Sequence, residues 1–279
     1  NPMNTRQVSR ISLDPAVVDC IVFWTKNPER ILKKLEHLSA YNYYFQITIT
    51  GYGRTLEPYI PPLERIIDAF KKLSQSIGRE RTIWRYDPII LTDTMDAGFH
   101  KRHFARLADE LAGYTERCVI SFLDFYRKTE RNMHSFGPLI LEDEAFLEVA
   151  AQIAEISRSH GLNVETCAED MDLTRLGIQP GKCIDDQLIE RIIGHPLVVG
   201  KDPNQRPACG CVSSIDIGAY NTCTHGCLYC YANYSKKTVE QNIKNHDPNS
   251  PLLIGHIQPT DTITEREMVS LLDRQMKLF

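Results

Sequence analysis

Five short apolar segments alternate with amphipathic segments along residues 1–170, and this alternation constrains the fold more than any other feature of the chain. The apolar segments are rich in β-branched and aromatic residues and end at turn signals or polar residues, which is typical of strands. The five predicted strands cover residues 20–24, 43–50, 82–86, 118–123 and 162–167. Because they are apolar without strict alternation, we expect both faces of the sheet to be covered.

Between the predicted strands, apolar residues recur at helical spacing. The predicted helices cover residues 28–38, 63–73, 100–111, 144–159 and 185–193. Gly161 is placed as a helix C-cap, and the capping box of Thr264 and Glu267 predicts a last helix to about residue 277. This order of elements predicts βαβ units and a parallel sheet. An open doubly wound sheet and a β/α barrel both fit the pattern.

Residues 171–279 differ from residues 1–170 in composition and in hydrophobic pattern. Gly, Pro, Asp and Asn are frequent there, and residues 194–223 show no regular pattern over a long stretch. We therefore interpret residues 1–170 as β/α barrel units. Residues 171–279 are predicted to be a cysteine-rich cluster-binding region with a C-terminal helix, packed as part of the same domain.

Charge and hydropathy limit the classes of partner that we expect for the chain. The net charge of −4 gives no general attraction to nucleic acid, and no apolar run is long enough for a membrane span. The first ten residues contain no secretory apolar core, so we expect a cytoplasmic protein. The chain starts at Asn1 rather than at Met, which suggests a truncated start.

Nine cysteines form an odd set, and five of them lie within residues 209–230. A disulfide framework is typical of small secreted domains, so this clustering indicates metal ligation in a reducing compartment. Cys223, Cys227 and Cys230 form a C-x3-C-x2-C pattern. Three thiolates at this spacing can ligate three irons of a [4Fe–4S] cluster and leave the fourth iron open to a small molecule. A structural zinc site with His225 as fourth ligand is the alternative.

With Tyr229 before its last cysteine, this pattern resembles the signature of radical S-adenosylmethionine enzymes. The string from residue 221 to residue 232 is similar to that of the spore photoproduct lyase and DNA repair photolyase-like branch. The chain as a whole resembles an uncharacterised domain-of-unknown-function family with a radical-SAM-like cysteine cluster at its C-terminal end. That likeness runs over nearly the whole chain and includes residues 23–28, 84–88 and 206–211.

The position of the motif differs from the pattern of those enzymes. Their motif follows the first barrel strand, whereas here it follows all five predicted strand–helix units. A partial or permuted radical-SAM-type β/α barrel with parallel strands reconciles the two, because chain termini often lie close together and tolerate such rearrangement. Residues 214–217 would then form the strand that leads into the cluster loop.

The resemblance also implies a chemistry. S-adenosylmethionine would chelate the open iron, and an electron from a donor such as flavodoxin or ferredoxin would release a 5′-deoxyadenosyl radical that abstracts hydrogen from a small-molecule or unknown substrate. Around the cofactor we expect Asn221, Gly226 and Tyr229.

Four further cysteines lie at strand ends and in glycine-containing loops, where a metal site gathers ligands. They are Cys167, Cys183, Cys209 and Cys211. We expect them to hold an auxiliary iron–sulfur cluster or a zinc, and unligated thiols are the alternative. Cys20 and Cys118 are predicted to be core residues.

Polar residues follow the predicted strands, and ligands collect at the carboxyl ends of parallel strands. Lys26, Arg85 and Asp87 are the candidate catalytic residues, with ion pairing or turn formation as the alternative role. The other strand-end candidates are Asn27, Thr50, Tyr52, Asp124, Tyr126, Glu165 and Glu169. Gln46 and Thr48 alternate along one strand and are predicted to face a barrel interior.

Two functions from other classes compete with a radical enzyme. An electron carrier or sensor would normally use four protein thiolates, and it needs no α/β domain of this size. A zinc-stabilised nucleic-acid-binding module is disfavoured by the acidic balance and by the lack of a basic stretch interleaved with aromatic residues.

Overall fold

The computed structural model describes residues 6–123, 132–133, 140 and 142–273. The strands are β1 Gln7–Arg10, β2 Ile21–Thr25, β3 Tyr43–Thr48, β4 Thr82–Ile89, β5 Arg117–Phe122, β6 Asn163–Thr166, β7 Gln179–Pro180 and β8 Thr262–Glu265. The α-helices with described bounds are α1 Glu29–Leu32, α2 Leu63–Ile77, α3 Ala97–Leu111, α4 Asp143–Ser159, α5 Asp186–Ile193 and α6 Lys236–Lys244.

The main sheet contains β2 to β7 in sequential order, and all of its neighbouring strands are parallel. A doubly wound sheet reverses its strand order at a switch point, and this sheet has no such reversal. Among the described residues no pairing joins β2 to β7, so the sheet is open and a closed barrel is not formed. The prediction of a parallel α/β fold is therefore confirmed.

Helices α2, α3 and α4 pack on one face of this sheet. Their apolar stripes meet the strand residues that point to the same side, around the buried Trp84 and Phe45. The stripes contribute Ile66, Phe70, Phe104, Leu107, Val149 and Ile153. Right-handed crossovers in a sequential sheet place every helix on the same side, which leaves the second face free for other contacts.

That second face, here called the inner face, is more polar. It carries Tyr44, Gln46, Ile83, Arg85, Val119, Ser121 and Glu165. Only its part near the amino ends of the strands is covered by apolar packing, since Leu188 and Ile189 of α5 meet Tyr44 there. Toward the carboxyl ends the inner face presents hydrogen-bonding side chains.

The five predicted strands are all present, with small changes at their ends. β4 continues through Asp87 and Pro88 to Ile89, although the sequence predicts a stop before the proline. Its register with β5 shifts between Tyr86 and Ile89, because Pro88 has no N–H to donate to the ladder. The predicted helix over residues 28–38 is only α1 followed by a short 3-10 turn at Leu35–Leu38.

The expectations for the C-terminal third are partly wrong. Residues 214–217 form no strand, and their backbone makes no ladder pairing. Thr264 does not begin a helix: it lies in β8, which pairs in parallel with β1, and this ladder prevails over the capping box because Thr262 and Ile263 favour an extended backbone. Residues 266–273 are not helical, and residues 274–277 of the predicted helix lie outside the described residues.

Besides β8, the sequence prediction lacks β1, β7 and α6. β7 is two residues long and pairs with Glu165 and Thr166. A strand this short has no periodic hydrophobic pattern from which it could be predicted. Helix α6 buries only Val239. Within the described part of the chain, no helix combines the length and the apolar character needed to cross a membrane.

Candidate cluster-binding site

The cysteine loop, residues 221–232, lies over the carboxyl ends of β2 and β3. Two backbone hydrogen bonds fix it there: Tyr59 N donates to His225 O at 3.2 Å, and Leu228 N donates to Leu56 O at 3.0 Å. Leu56 and Tyr59 belong to the connection that leaves the sheet at the end of β3. The loop therefore occupies the edge at which ligands of parallel sheets collect.

Four polar side chains, three of them buried and Lys26 half-buried, tie the loop to the sheet and are here called the anchor group. Glu57 Oε1 accepts hydrogen bonds from Lys26 Nζ at 2.7 Å and from Thr50 Oγ1 at 2.6 Å. The hydroxyl of Tyr229, which comes from the loop, donates to the same oxygen. Lys26 Nζ also lies 5.4 Å from the centre of the Tyr229 ring. Glu57 is 4% exposed and Tyr229 is 7% exposed, so little water competes for these bonds.

The anchor group sets the charge of Glu57. Burial alone would raise the pKa of this carboxyl, but the Lys26 ammonium and the hydrogen bonds from Thr50 and Tyr229 bring its pKa below the ordinary value. Burial raises the pKa of Tyr229 well above its ordinary value. Glu57 is thus an ionised carboxylate that accepts a hydrogen bond, and Tyr229 is a neutral phenol that donates it.

Two residues with positive φ shape the loop. Asn221 has φ +58° and Gly226 has φ +68°. A Cβ on Gly226 would lie 2.9 Å from Cδ2 of Tyr59, so the close approach of backbone and ring requires a glycine. The Asn221 side-chain oxygen accepts from the amides of Tyr234 and Ser235, which connects the loop to the start of α6.

The three thiols of the loop share one electrostatic environment. Cys223 is exposed, and Cys227 and Cys230 are half-buried. Burial raises the pKa of Cys223, and it raises the pKa of Cys227 to about 12. Lys26 opposes this effect at both sulfurs, whereas the neighbouring thiols add to it. A bound metal would lower the pKa of the thiols that ligate it, because the cation stabilises the thiolate form.

The donor types of the loop suit either kind of metal site. Thiolates are the usual ligands of iron–sulfur clusters, in which they bind different irons and need not converge on one point. Over the described ranges, no three Cys, His, Asp or Glu side chains are arranged to hold one metal ion. The cluster at Cys223, Cys227 and Cys230 and the alternative of a zinc with His225 both stay predictions.

Arg85 and Asp87 form a second polar group on the inner face. Arg85 Nε donates to Asp87 Oδ2 at 2.9 Å, and Arg85 Nη1 donates to Gln46 Oε1 at 2.6 Å. Ser121 donates to the other carboxylate oxygen of Asp87. Burial alone would lower the pKa of Arg85, but Asp87 and the thiol of Cys183 raise it. Gln46 lies on the inner face of the open sheet, so it does not face the closed barrel interior that the sequence predicts for it and Thr48.

The four further cysteines are brought together beside Arg85, although they come from distant parts of the sequence. Sγ of Cys167 lies 3.1 Å from Sγ of Cys183, and Sγ of Cys211 accepts the amide of Cys183 at 3.2 Å. Cys183 hydrogen-bonds through its thiol to Cys211, which in turn contacts Cys209. The thiols form a chain of contacts rather than a shell around one point. The auxiliary metal site stays a prediction.

The two groups lie close enough to affect the same side chain. Burial raises the pKa of Tyr231, and the nearby Asp87 and Cys230 raise it further, while Arg85 lowers it. Tyr231 follows directly after the last cysteine of the loop. The charges of Arg85 and Asp87 therefore reach a side chain next to the cysteine loop.

The remaining strand-end candidates have structural partners. Tyr52 donates to the carbonyl of Pro88 at 2.8 Å and packs edge-on against Tyr229. Glu165 pairs with Arg117 at 3.1 Å, and Glu169 accepts the amide of Phe122 at 2.8 Å. Thr25 Oγ1 accepts a hydrogen bond from the amide of Asn27, which makes Asn27 a turn residue. Asp124 and Tyr126 lie outside the described residues.

Two cavities mark opposite ends of the sheet. One of about 160 Å³ is lined by Lys26, Thr48, Thr50 and Glu57, next to the anchor group. The other, of about 790 Å³, lies among charged side chains at the amino ends of β4, β5 and β6. The smaller cavity is the one that fits ligand binding in parallel sheets, because it lies at the carboxyl ends.

Glu57 is the functional candidate that the sequence does not reveal. It lies in an irregular connection, outside any strand end or motif, and only the contact with Tyr229 connects it to the cysteines. Of the predicted residues, Lys26, Asn221, Gly226 and Tyr229 are brought together with the three cysteines. Arg85 and Asp87 lie with Cys183 instead.

The comparison with known families bears on this whole arrangement. Residues 1–232 match the family model described as Domain of unknown function (DUF1848). The chain belongs to this family. The matched region contains β1 to β7 and ends with the cysteine loop, so the sheet and the loop are parts of one family domain, whereas α6 and β8 lie beyond it. No curated protein matches the chain. The likeness to radical SAM or photolyase-like proteins stays a prediction.

Replacing Glu57 by glutamine should destabilise the DUF1848 domain by about 3 kcal/mol, because it leaves the buried Lys26 ammonium without its counter-charge. The loss should be measured as the free energy of unfolding in urea at neutral pH. Since the pKa of Glu57 is lowered on folding, its contribution is complete above about pH 4.5 and is lost as the pH falls through the lower folded-state value. The difference between the two proteins should therefore shrink in acid.

Glu64→Gln is the matched control for this change. Glu64 pairs with Arg106 at 3.3 Å, but both side chains are more than 60% exposed (74% and 61%). We expect this control to lose less than about 1 kcal/mol. Equal losses from the two variants would contradict the role of the anchor group.

Gly226→Ala should destabilise the domain by about 2 kcal/mol, because it combines a strained φ with a clash against Tyr59. Gly161→Ala is the control, since Gly161 has φ +65° with no atom within 4 Å of the added Cβ. Urea unfolding compares the two variants, and amide hydrogen exchange of Leu228 reports on the loop itself. Faster exchange at Leu228 in Gly226→Ala alone is expected, and unchanged exchange would show that the loop does not depend on this approach.

Proposed function

We propose that this DUF1848 protein is a radical S-adenosylmethionine enzyme whose cluster is held by Cys223, Cys227 and Cys230. The observation that carries the proposal is the position of the cysteine loop. It follows every strand of the main sheet in sequence, yet it packs at the carboxyl ends of β2 and β3, the first strands of that sheet. In the enzymes that the motif resembles, the loop follows the first strand, so the spatial arrangement supports the proposal where the sequence order departs from it.

The sheet supports a related, permuted architecture. Its strands run parallel in sequential order with their helices on one side, as in the β/α units of a barrel. The inner face is polar at its carboxyl end, where a barrel would hold its substrate. A partial barrel completed by the C-terminal region is thus the architecture that we propose.

Bound together, a reduced [4Fe–4S] cluster and S-adenosylmethionine supply a 5′-deoxyadenosyl radical, which abstracts hydrogen from a substrate. The residues of the chain supply the surroundings. Lys26 places a positive charge near Cys223 and Cys227, where it offsets part of the negative charge of thiolate ligands. Asn221 and Gly226 hold the loop backbone in its turn. Tyr229 ties the loop to Glu57 and so fixes its distance from the sheet.

Arg85 and Asp87 are the residues that we propose for the substrate. Arg85 is 5% exposed and already pairs with Asp87, so a substrate group that meets them must replace or extend existing hydrogen bonds. A planar guanidinium suits a carboxylate or a phosphate group in this role. Asp87 and Arg85 both affect the pKa of Tyr231, which follows the last cysteine of the loop, and this supports a role for the pair near the cofactor.

Electron entry is proposed from the solvent side of the loop. Cys223 is exposed whereas Tyr229 is buried, so one side of the loop faces solvent and the other faces the sheet. A protein donor such as flavodoxin or ferredoxin would approach the exposed side. The substrate is a small molecule or one still to be identified.

Anaerobic reconstitution with iron and sulfide tests the proposal. The protein should then contain about four irons per chain. After reduction in the presence of S-adenosylmethionine, it should form 5′-deoxyadenosine, detected by mass spectrometry, without any added substrate. Cys227→Ala should lose both the iron and the product. Cys20→Ala, which removes a thiol packed against the opposite part of the sheet, should retain both.

Product at background level in the iron-loaded wild-type protein would overturn the proposal. Iron retained fully by Cys227→Ala would overturn the assignment of the ligands.

A further inference from the structure

We propose that Cys167 and Cys183 form a redox-active dithiol that closes reversibly to a disulfide. Their Sγ atoms are 3.1 Å apart, which is within contact distance, and both cysteines are free and half-buried. A disulfide needs about 2.05 Å between the two sulfurs. The pair is separate from the cysteine loop, and the proposal does not depend on the function proposed for that loop.

The short distance is built into the backbone on both sides. Cys167 directly follows β6, and its amide donates to Ile120 O at 2.9 Å. The carbonyl of Cys183 accepts from the Tyr44 hydroxyl at 2.6 Å and from Gln46 Nε2 at 2.5 Å. Both cysteines are therefore anchored to the sheet through main-chain atoms, which holds their sulfurs side by side.

A charged hydrogen-bond donor contacts the pair directly. Arg85 Nη1 lies 2.9 Å from Sγ of Cys183. Exchange with an external disulfide begins at a thiolate, and a guanidinium beside the sulfur stabilises that form. The amides of Cys183 and Ile184 donate instead to Sγ of Cys211, at 3.2 and 3.3 Å.

The same observations favour a dithiol over a metal at this place. The four thiols follow one another as a chain from Cys167 to Cys209, and in the described part of the protein no three of them are arranged around a single ion. Ligands to one zinc, at about 2.3 Å from the metal, stand farther apart than 3.1 Å in tetrahedral geometry. Forming a disulfide would therefore shorten the distance between the two Sγ atoms, whereas binding a zinc would have to lengthen it.

The reaction balances with a low-molecular-weight disulfide as the oxidant. Each thiol of the pair loses one proton and one electron, and the bond between the two Sγ atoms forms. The oxidant's own S–S bond breaks, and it takes up the two protons and two electrons to leave as two thiols. A small dithiol reverses the reaction by the same exchange.

Closure of the disulfide would act on the pair of Arg85 and Asp87. The Sγ of Cys183 that now contacts Arg85 Nη1 would turn toward Cys167. One N–H of Nη1 would then be available to another acceptor, while the other still donates to Gln46 Oε1. The redox state of the pair is thus coupled to the polar group on the inner face.

Mass spectrometry of the full chain tests the proposal. Anaerobically purified protein is incubated with oxidised glutathione, its free thiols are alkylated under denaturing conditions, and the peptides are mapped. We expect a peptide pair linked through Cys167 and Cys183, with alkylation of both reduced about tenfold. Dithiothreitol added before alkylation should restore both sites. Cys20→Ser, a control thiol on the same side of the sheet, should still form the link.

Three results would overturn the proposal. Full alkylation of Cys167 and Cys183 after oxidation is one, and a wild-type disulfide that joins either cysteine to a different partner is another. The third is metal held at this place, seen as a loss of zinc or iron from Cys167→Ser relative to the wild type. Because Cys227→Ala measures the iron of the loop separately, a failure here is distinguishable from a failure of the radical enzyme proposal.

Discussion

The buried carboxylate of Glu57 is the contact on which the arrangement of sheet and cysteine loop depends. Removing a carboxylate and an ammonium from water costs several kcal/mol per ion, and this cost is repaid only when hydrogen bonds satisfy the buried groups. Here Lys26 and Thr50 donate hydrogen bonds to Glu57 from the strand ends, and Tyr229 donates a third from the loop. Docking of the loop and stability of the strand ends are therefore coupled. A loop held in this way is positioned before any cofactor binds.

The fold also explains how a motif late in the chain reaches the beginning of the sheet. The sheet is sequential and carries its helices on one side, so the inner face and the carboxyl edge remain accessible to residues that follow β7. The stretch from Gly194 to the loop has little regular structure, and it connects α5 to the ends of β2 and β3. Backbone hydrogen bonds hold this stretch to other parts of the chain: Val198 N donates to Leu271 O at 2.8 Å, and Val212 N donates to Ile184 O at 3.1 Å.

Hydrophobic pattern predicts the strands and main helices of residues 1–170 because the apolar core between the helices and one sheet face leaves a local signature in the sequence. The expectation that both faces are covered is wrong toward the carboxyl ends, where the inner face is polar. The same reasoning is wrong for residues 214–217 and for the helix at Thr264, where pairing with β1 outweighs a local capping signal. Spacing identifies Cys223, Cys227 and Cys230, since loop ligands are close in sequence. It cannot reveal Glu57 or the contact of Cys167 with Cys183, because these depend on which strand ends meet in three dimensions.

Two sulfur groups thus flank Arg85 and Asp87, one in the loop and one on the inner face. The central claim is that the loop leaves one iron of its cluster without a protein ligand. Pulsed electron paramagnetic resonance of the reduced protein, with S-adenosylmethionine carrying ¹⁵N in its amino group, tests this claim most directly. The account predicts a magnetic coupling between that nitrogen and the cluster, absent with unlabelled cofactor. A cluster signal that is unchanged by S-adenosylmethionine and shows no such coupling would contradict it.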